Sequence, residues 1–254
     1  MGPMEATGDT GTGTDSDTDS DTAQGDRDGA APTRVIRALV FDFDGLILDT
    51  EVPEFVTWQE IFAAHGATLP LEVWAQCIGS SDHGWSPYAY LAEVSGRAVD
   101  NDAVRAARKA RVHDLIAAET IMPGVEACIR EARRLGVKVG LASSSSRQWV
   151  EGHLGRLGFT GEFDVLKTSD DVRRTKPDPE LYLAAVAALG VEPAEAIALE
   201  DSPHGVAAAK KAGLFCVAVP NRMTSQLDLA GADLRLRSLA DLPLGEILEF
   251  AART

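Results

Sequence analysis

The sequence predicts an α/β protein, with a doubly wound, Rossmann-like parallel sheet as its core and an inserted α-helical cap domain. From residue 35 onward, short β-branched apolar runs alternate with stretches of helical periodicity, which is typical of parallel strands joined by helices. The segment 51–120 breaks this alternation, because it has helical stripes but no convincing strand. We therefore predict a core formed by 35–50 and 121–254, a cap formed by 51–120 and a leader before them.

The composition is that of an ordinary globular protein. Of the 254 residues, 45% are hydrophobic and 25% are charged, which excludes collagenous, fully disordered and disulfide-scaffold classes. A formal net charge of −15 would repel phosphate backbones and anionic lipid, so we expect neither a nucleic-acid nor a membrane partner. We expect a cytoplasmic protein, because the three cysteines are widely spaced and no secretory or membrane-spanning pattern occurs. No heptad or exposed apolar stripe indicates a dimer, so we expect a monomer.

Residues 1–34 form an acidic leader that we expect to be disordered. Asp alternates with Ser and Thr over 14–22, among Gly and Ala residues. Such a segment cannot bury enough apolar surface to offset its ordering entropy. Removal of the leader is therefore expected to leave the activity intact.

The core elements are predicted in strict alternation. A buried strand covers 35–43, and the helix with an apolar stripe from Val125 to Leu135 stops at Gly136. Asp178 is predicted to cap a later helix that has Pro179 at its first position. The other predictions are strands over 137–142, 163–167, 196–200 and 214–219, a weaker strand over 234–236, and helices over 147–157, 179–189 and 203–213.

Two helices are predicted within the cap. One carries the apolar stripe Phe55, Trp58, Ile61 and Phe62, and stops at Gly66. The other begins near residue 101, and its stripe consists of Val104, Arg111, Val112, Leu115 and Ile116. A helical segment of this kind, placed directly after the first strand, is typical of a small cap over a site at the sheet edge.

Acidic and hydroxyl side chains follow three of the predicted strands. Asp42 and Asp44 end the first strand, serines occupy 143–146 after the second, and Glu200 and Asp201 end the strand over 196–200. The carboxyl edge of a parallel sheet is where ligands bind, so we expect these side chains to lie together. Four acids in one place need a cation, and oxygen ligands suit Mg²⁺, which in turn indicates a phosphate-bearing substrate. The alternative is that these acids are helix caps and exposed loop residues.

A lysine and two serines are candidates for binding the phosphate. Lys176 precedes Pro177, which favours an extended conformation, and its charge could balance the acids and contact a phosphoryl group. Ser143 and Ser144 offer hydroxyl and backbone N–H groups at a helix entrance, which is a favourable anion site. The alternatives are a solvated surface lysine and an ordinary serine loop.

Four segments, taken in order, carry a family resemblance. They read VFDFDGLILDTE at 40–51, LASSS at 141–145, KPDPELY at 176–182 and LEDSPHGVAAAKKAG at 199–213. In all four the chain resembles the haloacid dehalogenase superfamily, and most closely its phosphatase and phosphomutase branch that includes beta-phosphoglucomutase. The resemblance runs from about residue 35 to 240 and includes the cap.

This resemblance implies a two-step phosphoryl transfer. Asp42 would be the nucleophile that forms an aspartyl-phosphate. Asp44 would protonate the leaving oxygen and then accept a proton from the attacking water. Ser143 and Lys176 would hold the phosphoryl oxygens, and Ser144 would contribute to substrate binding.

The resemblance also implies a magnesium site and a substrate-facing loop. Mg²⁺ would be bound by Asp42, by the main-chain carbonyl of Asp44 and by Asp201, with Glu200 either a ligand or an orienter of bound water. In the cap, the segment 78–84 is similar to the family's substrate loop. Residues that would touch a sugar there are Gly79, Ser80 and His83. The alternative for this loop is a surface turn.

Individual residues distinguish between the activities found in this family, namely dehalogenase, phosphatase and phosphomutase. Dehalogenation is disfavoured because haloacid dehalogenases lack a second acid equivalent to Asp44. Glu54 and Asp82 stand where beta-phosphoglucomutase has a histidine and an arginine, so a cationic anchor for a second phosphate is lost unless another cap cation replaces it. The candidates for that replacement are Arg105, Arg108, Lys109 and Arg111.

We therefore expect a Mg²⁺-dependent phosphatase whose partner is a small phosphorylated metabolite, namely a sugar or polyol phosphate. A beta-phosphoglucomutase-like intramolecular phosphotransferase is one alternative. A catalytically inactive binding module is another, but it is disfavoured because every motif acid and Lys176 are present.

Overall fold

The sheet consists of parallel strands with helices on both of its faces. The computed structural model describes residues 34–78 and 84–254. Within these ranges the strands are β1 (Ala38–Phe41), β2 (Lys138–Ala142), β3 (Val165–Lys167), β4 (Ala196–Glu200), β5 (Phe215–Ala218) and β6 (Leu234–Arg235). Their order across the sheet is β3-β2-β1-β4-β5-β6. The order reverses between β1 and β4, and the predicted doubly wound α/β fold class is confirmed.

All but the last of the helices in the described residues lie between these strands along the chain. They are α1 (Glu51–Ala64), α2 (Leu71–Trp74), α3 (Pro87–Ser95), α4 (Asn101–Ala118), α5 (Val125–Arg134), α6 (Arg147–Leu157), α7 (Glu180–Leu189), α8 (Pro203–Ala212) and α9 (Leu244–Arg253). In the described part of the chain, no helix is both long and apolar enough to cross a membrane.

Strand β1 separates two hydrophobic layers. Leu39 and Phe41 face one layer, which contains residues of α5, α6 and α9. Ala38 and Val40 face the other layer, which contains residues of α7 and α8. Because side chains alternate along a strand and all four of these are fully buried, β1 is covered on both faces, as the central strand of such a sheet must be.

Helices α1 to α4 form the insertion between β1 and β2. They have their own cluster of buried side chains, which includes Phe55, Trp58, Phe62, Trp74 and Leu91. The inserted helical cap of the predicted fold class is thus confirmed. The boundaries 51–120 for the cap stay a prediction, because the described residues fall into one compact unit.

Several predicted elements differ in extent from those observed. The first strand begins at Ala38, and Val35 is 66% exposed. Helix α7 begins at Glu180, one residue later than predicted, and the Asp178 carboxylate accepts a hydrogen bond from the Glu180 backbone N–H at 3.1 Å. The sequence analysis missed α2, α3 and α9 entirely. The predicted disordered leader lies outside the described residues apart from its final position.

Candidate active site

Three buried carboxylates meet where the strand order reverses. Asp42 directly follows β1, Glu200 ends β4, and Asp201 is the next residue. Their side chains each offer one oxygen, and these oxygens lie within 4.8 Å of one another. The Asp42 backbone N–H donates to the Leu199 carbonyl at 2.9 Å, which extends the pairing of β1 with β4 to the site itself. Pairing of adjacent strands therefore brings together acids that lie far apart in sequence.

Lys176 is the cation of this cluster. Its ammonium donates to Oδ1 of Asp42, and to Oε1 of Glu200 at 2.6 Å. Burial lowers the pKa of Lys176, but the two carboxylates outweigh burial and hold the pKa above its ordinary value. Burial also raises the pKa of Asp42 to about 8, although Lys176 opposes this shift. One ammonium cannot balance three ionised carboxylates, so bound protons or a further cation must offset the remaining negative charge.

The Glu200 carboxylate is already surrounded by protein donors. Oε1 accepts from Lys176 and from the Tyr182 hydroxyl at 2.7 Å. Oε2 accepts from the Asp201 backbone N–H at 3.1 Å, and from the backbone N–H and the hydroxyl of Ser202, each at 3.3 Å. A carboxylate has about four lone-pair sites, and these bonds occupy them. Glu200 therefore positions the neighbouring groups in this arrangement.

Asp201, by contrast, has an oxygen without a partner. Oδ2 accepts from the Asn221 side-chain amide at 2.8 Å, whereas the buried Oδ1 has no hydrogen-bond partner. Burial raises the pKa of Asp201 well above its ordinary value, and the charge of Asp42 adds to the effect. Gly45 has a φ of +81°, and a Cβ at this position would lie 2.3 Å from Oδ2 of Asp201. Any other residue would therefore clash with this carboxylate. The site offers only oxygen ligands, one of which is buried and unpaired, and its acids need a cation when they are ionised. These properties fit a hard divalent cation.

The carboxylate of Asp44 is held apart from the three clustered acids. Oδ1 accepts from the Thr50 hydroxyl at 3.0 Å and from the Trp149 indole N–H at 2.8 Å. Oδ2 accepts from the hydroxyls of Ser145 at 2.7 Å and Ser143 at 3.3 Å. The expectation that all four acids cluster is therefore met by three of them, because four neutral donors engage the Asp44 carboxylate separately.

The serines after β2 lie beside Asp44. Ser143 is fully buried, and its hydroxyl oxygen also accepts from the Ser145 backbone N–H at 3.0 Å. The buried hydroxyl of Ser144 has no hydrogen-bond partner. Ser146 caps α6, where its hydroxyl accepts from the Trp149 backbone N–H at 3.4 Å. A free hydroxyl next to a helix N-terminus is available to an incoming anion.

The insertion contributes a pocket beside these acids, which we call the cap pocket. It has a volume of about 270 Å³ and is lined by Glu51, Glu54, Trp58, Trp74, Pro87, Tyr88 and Arg108. Burial raises the pKa of Glu51 to about 8, and the next largest contributions come from the charges of Asp44 and Glu54. Glu51 therefore lies between the acids of the core and the pocket of the cap. The predicted sugar-contacting residues Gly79, Ser80 and His83 lie outside the described residues.

Sequence reasoning missed several side chains of this site. Tyr182 lies in the KPDPELY segment, but its spacing is equally that of a core position on a helix. Asn221 follows β5, so the rule that strand ends carry ligands could have identified it. Trp149 had no signal of its own, because its contact with Asp44 depends on how α6 packs against the end of β1. Ser145, by contrast, is one of the serines that the sequence placed at this edge.

Comparison with known proteins extends these observations. A family model for haloacid dehalogenase-like hydrolases matches residues 36–213. YhcW of Bacillus subtilis (strain 168), which carries a provisional phosphatase name, is 47% identical over 215 residues that cover 85% of this chain and 97% of YhcW. Validoxylamine A 7'-phosphate phosphatase of Streptomyces hygroscopicus subsp. limoneus is 34% identical over 212 residues, or 81% of this chain and 95% of that protein.

A similar solved structure is that of a CbbY mutant from Rhodobacter sphaeroides in complex with xylulose-(1,5)bisphosphate. It superposes with a TM-score of 0.65 at 31% sequence identity and covers 82% of this chain and 96% of that one. The three alignments thus span most of both chains in each pair.

Proposed function

Because the chain belongs to the haloacid dehalogenase-like hydrolase family and is a phosphoric monoester hydrolase, we propose that it hydrolyses the phosphomonoester of a small sugar or polyol. The reaction uses Mg²⁺ and passes through an aspartyl-phosphate on Asp42. Support for this substrate class comes from relatives that act on or bind phosphorylated carbohydrate-like compounds, such as the validoxylamine phosphate phosphatase and CbbY.

The observation that carries the proposal is the environment of Asp42. Its carboxylate is buried and fixed through Oδ1 by Lys176, so Oδ2 is left for attack on phosphorus. The neighbouring Asp201 has an unpaired buried oxygen in the same cluster. A fixed nucleophile beside an unpaired carboxylate oxygen suits phosphoryl transfer, in which positioning and charge neutralisation provide most of the catalysis.

The proposed reaction consists of two displacements at phosphorus. An oxygen of Asp42 forms a bond to phosphorus while the bond to the leaving oxygen breaks, and Asp44 donates its proton to that oxygen. Water then attacks the aspartyl-phosphate, Asp44 accepts the proton of the water, and phosphate and the free Asp42 carboxylate are released. Lys176, Ser143 and Ser144 hold the phosphoryl oxygens during both steps.

The residues that would hold Mg²⁺ are Asp42, Asp201 and the main-chain carbonyl of Asp44. When bound, the ion supplies positive charge that offsets the acids and the phosphoryl oxygens. Glu200 acts as an orienting group in this proposal, because its oxygens already accept hydrogen bonds from Lys176, Tyr182 and the Ser202 region.

We assign residues 51–120 to a cap that covers this site, and 35–50 with 121–254 to the catalytic core. Closure of such a cap would exclude water from the first displacement. Within the cap, Gly79, Ser80 and His83 are proposed to contact the leaving group. A monomer in the cytoplasm, without nucleic-acid or membrane partners, remains the expected state.

Hydrolysis is favoured over the mutase reaction by the pairing of the cap arginines. Arg105 pairs with Asp102 at 3.4 Å, and Arg111 pairs with Glu60 at 2.8 Å. Arg108 pairs with Glu54 at 2.6 Å. Each of these three arginines has a carboxylate partner, so none of them offers an uncompensated charge to a second phosphate. Lys109, the fourth candidate cation, has no ion pair among the described residues.

Phosphate release from sugar, polyol and aryl phosphates tests the proposal. We expect release by the wild type in Mg²⁺, loss of release in excess chelator, and loss of release in Asp42→Asn under both conditions. Conversion of a hexose 1-phosphate to the 6-phosphate without free phosphate would instead establish the mutase. Chelator-insensitive release that survives in Asp42→Asn would contradict the proposal.

A further inference from the structure

The size of the cap pocket limits what it can hold. Its volume of about 270 Å³ lies just below the range of about 300–1,000 Å³ that is typical of pockets for drug-sized ligands. Glu51 lines this pocket, and the charge of Asp44 contributes to its raised pKa. The pocket is therefore suited to a leaving group of about the size of one sugar ring.

Two opposite charges occupy the pocket wall. Nη1 of Arg108 lies 2.7 Å from Oε1 and 2.6 Å from Oε2 of Glu54. The side chains are 28% and 24% exposed, so a ligand in the pocket can reach both groups. Burial lowers the pKa of Arg108, but Glu54 and Tyr88 outweigh it, so Arg108 stays charged. The pair thus presents hydrogen-bonding groups with no net charge.

Aromatic side chains hold this pair in place. The Arg108 guanidinium lies 5.7 Å from the centre of the Trp58 ring, within cation–π distance. The Tyr88 ring meets Trp58 edge-on at 5.0 Å, and Trp74 lies 6.5 Å from Trp58. The buried Nε of Arg108 has no hydrogen-bond partner. The polar pair is therefore fixed within apolar walls, as in sites where a few placed polar groups determine specificity.

We propose that the Glu54–Arg108 pair selects the leaving group, because it binds the hydroxyl groups of an uncharged sugar or polyol and disfavours a leaving group with a second phosphate. This inference deepens the proposed function and rests on it. The carboxylate accepts from sugar hydroxyls and the guanidinium donates to their oxygens. A second phosphate would have to displace Glu54 from Arg108 and would meet its negative charge.

The same two helices supply a matched control. Glu60 of α1 and Arg111 of α4 form a second ion pair, at 2.8 and 2.9 Å, whose side chains are 48% and 47% exposed. This pair does not line the cap pocket. Glu60→Gln therefore removes a carboxylate between α1 and α4 without changing the pocket.

The test compares kcat/KM of the wild type, Glu54→Gln and Glu60→Gln on three substrates. These are a hexose or hexitol monophosphate, a sugar bisphosphate, and p-nitrophenyl phosphate, which has no hydroxyl on its leaving group. In Glu54→Gln we expect the ratio of the sugar monophosphate to the aryl phosphate to fall about 10- to 100-fold, because a hydrogen bond to a charged group is lost. The ratio of bisphosphate to monophosphate should rise, because Arg108 is released.

Glu60→Gln separates a specific effect of the pocket pair from a general effect of losing an ion pair. In Glu60→Gln both ratios should stay within about twofold of the wild type. If Glu54→Gln does not fold, Arg108→Lys should still lower the sugar-to-aryl ratio without raising bisphosphate turnover. If the folded pocket variants keep both kcat/KM ratios of the wild type, the role of the pair is overturned, whereas the proposed phosphatase activity is not. A wild type that releases no phosphate from any substrate would overturn the proposed function and this inference together.

Discussion

Nζ of Lys176 lies 2.6 Å from Oε1 of Glu200, and the two side chains are only 2% and 0% exposed. Charges so deeply buried are tolerated only when they are paired and hydrogen-bonded, because each loses its hydration on folding. The pair connects the loop before α7 to the end of β4. The site is therefore part of what holds the core together, and its residues affect stability as well as activity.

Removal of Lys176 should strongly destabilise the protein. In Lys176→Met the acids lose their one ammonium, so we expect a loss of about 3–5 kcal/mol in the free energy of unfolding, measured by urea denaturation in chelator. Lys210→Met is the matched control, because Lys210 pairs with Asp233 at 2.5 Å but is 38% exposed. The control should cost less than about 1 kcal/mol. Equal losses in the two variants would contradict the role given to Lys176.

Gly205 is predicted to be essential for the position of Glu200. A Cβ at this position would lie 1.9–2.0 Å from the Glu200 carboxylate atoms, so the carboxylate and Lys176 would have to move. We expect Gly205→Ala to lower turnover about 100-fold, since a shift of about 1 Å at a catalytic group has that effect.

Gly152→Ala is the control for that substitution. Gly152 also lies inside a helix, but a Cβ there would meet nothing within 4 Å. This variant should keep full activity and gain about 0.5–1 kcal/mol in stability, because alanine is the better helix former. Full activity in Gly205→Ala would show that Glu200 can relocate without consequence.

The metal-free protein should lose stability as the pH rises. Burial raises the pKa of Asp42 to about 8 from an ordinary value near 3.8. Between these pH values the folded protein holds a proton that the unfolded chain has released. The free energy of unfolding therefore falls by up to about 1.4 kcal/mol for each pH unit, and it stops falling above the pKa of the folded state. In chelator, the urea concentration at the midpoint of unfolding should therefore decrease as the pH is raised from about 5.5 to about 8.

Two further measurements isolate the contribution of Asp42. Asp42→Asn should make the fall in stability shallower, because it removes this group. Mg²⁺ should stabilise the wild type more at about pH 8 than at about pH 5.5, since it binds the ionised carboxylates. A midpoint that rises across this window in chelator would contradict the account.

The order of elements and the edge that holds the site could be predicted from the sequence. Buried strands have a clear apolar pattern, and Asp42 and Glu200 each stand at the end of one. The family resemblance carried by the four motifs is confirmed by the family match. Helix α9 was missed although Leu244, Ile247 and Ala251 recur at helical spacing, so that signal was present and not used.

Side-chain partners between elements could not be predicted. The Asp44 carboxylate accepts from Trp149, and this contact exists only after α6 has packed beside the end of β1. Glu54 and Arg108 are 54 positions apart, and nothing in the sequence pairs them before α1 and α4 are placed together. The sequence offered Arg108 as a free anchor for a second phosphate, whereas its charge is matched by Glu54.

The most direct test of the account is transfer of a labelled phosphoryl group to the protein during turnover. A radiolabelled sugar phosphate is mixed with enzyme and Mg²⁺, the reaction is quenched with acid, and the labelled residue is located by peptide mapping. We predict label on Asp42 in the wild type and none in Asp42→Asn. Release of free phosphate with no labelled protein at any time, or label on another residue, would contradict Asp42 as the nucleophile.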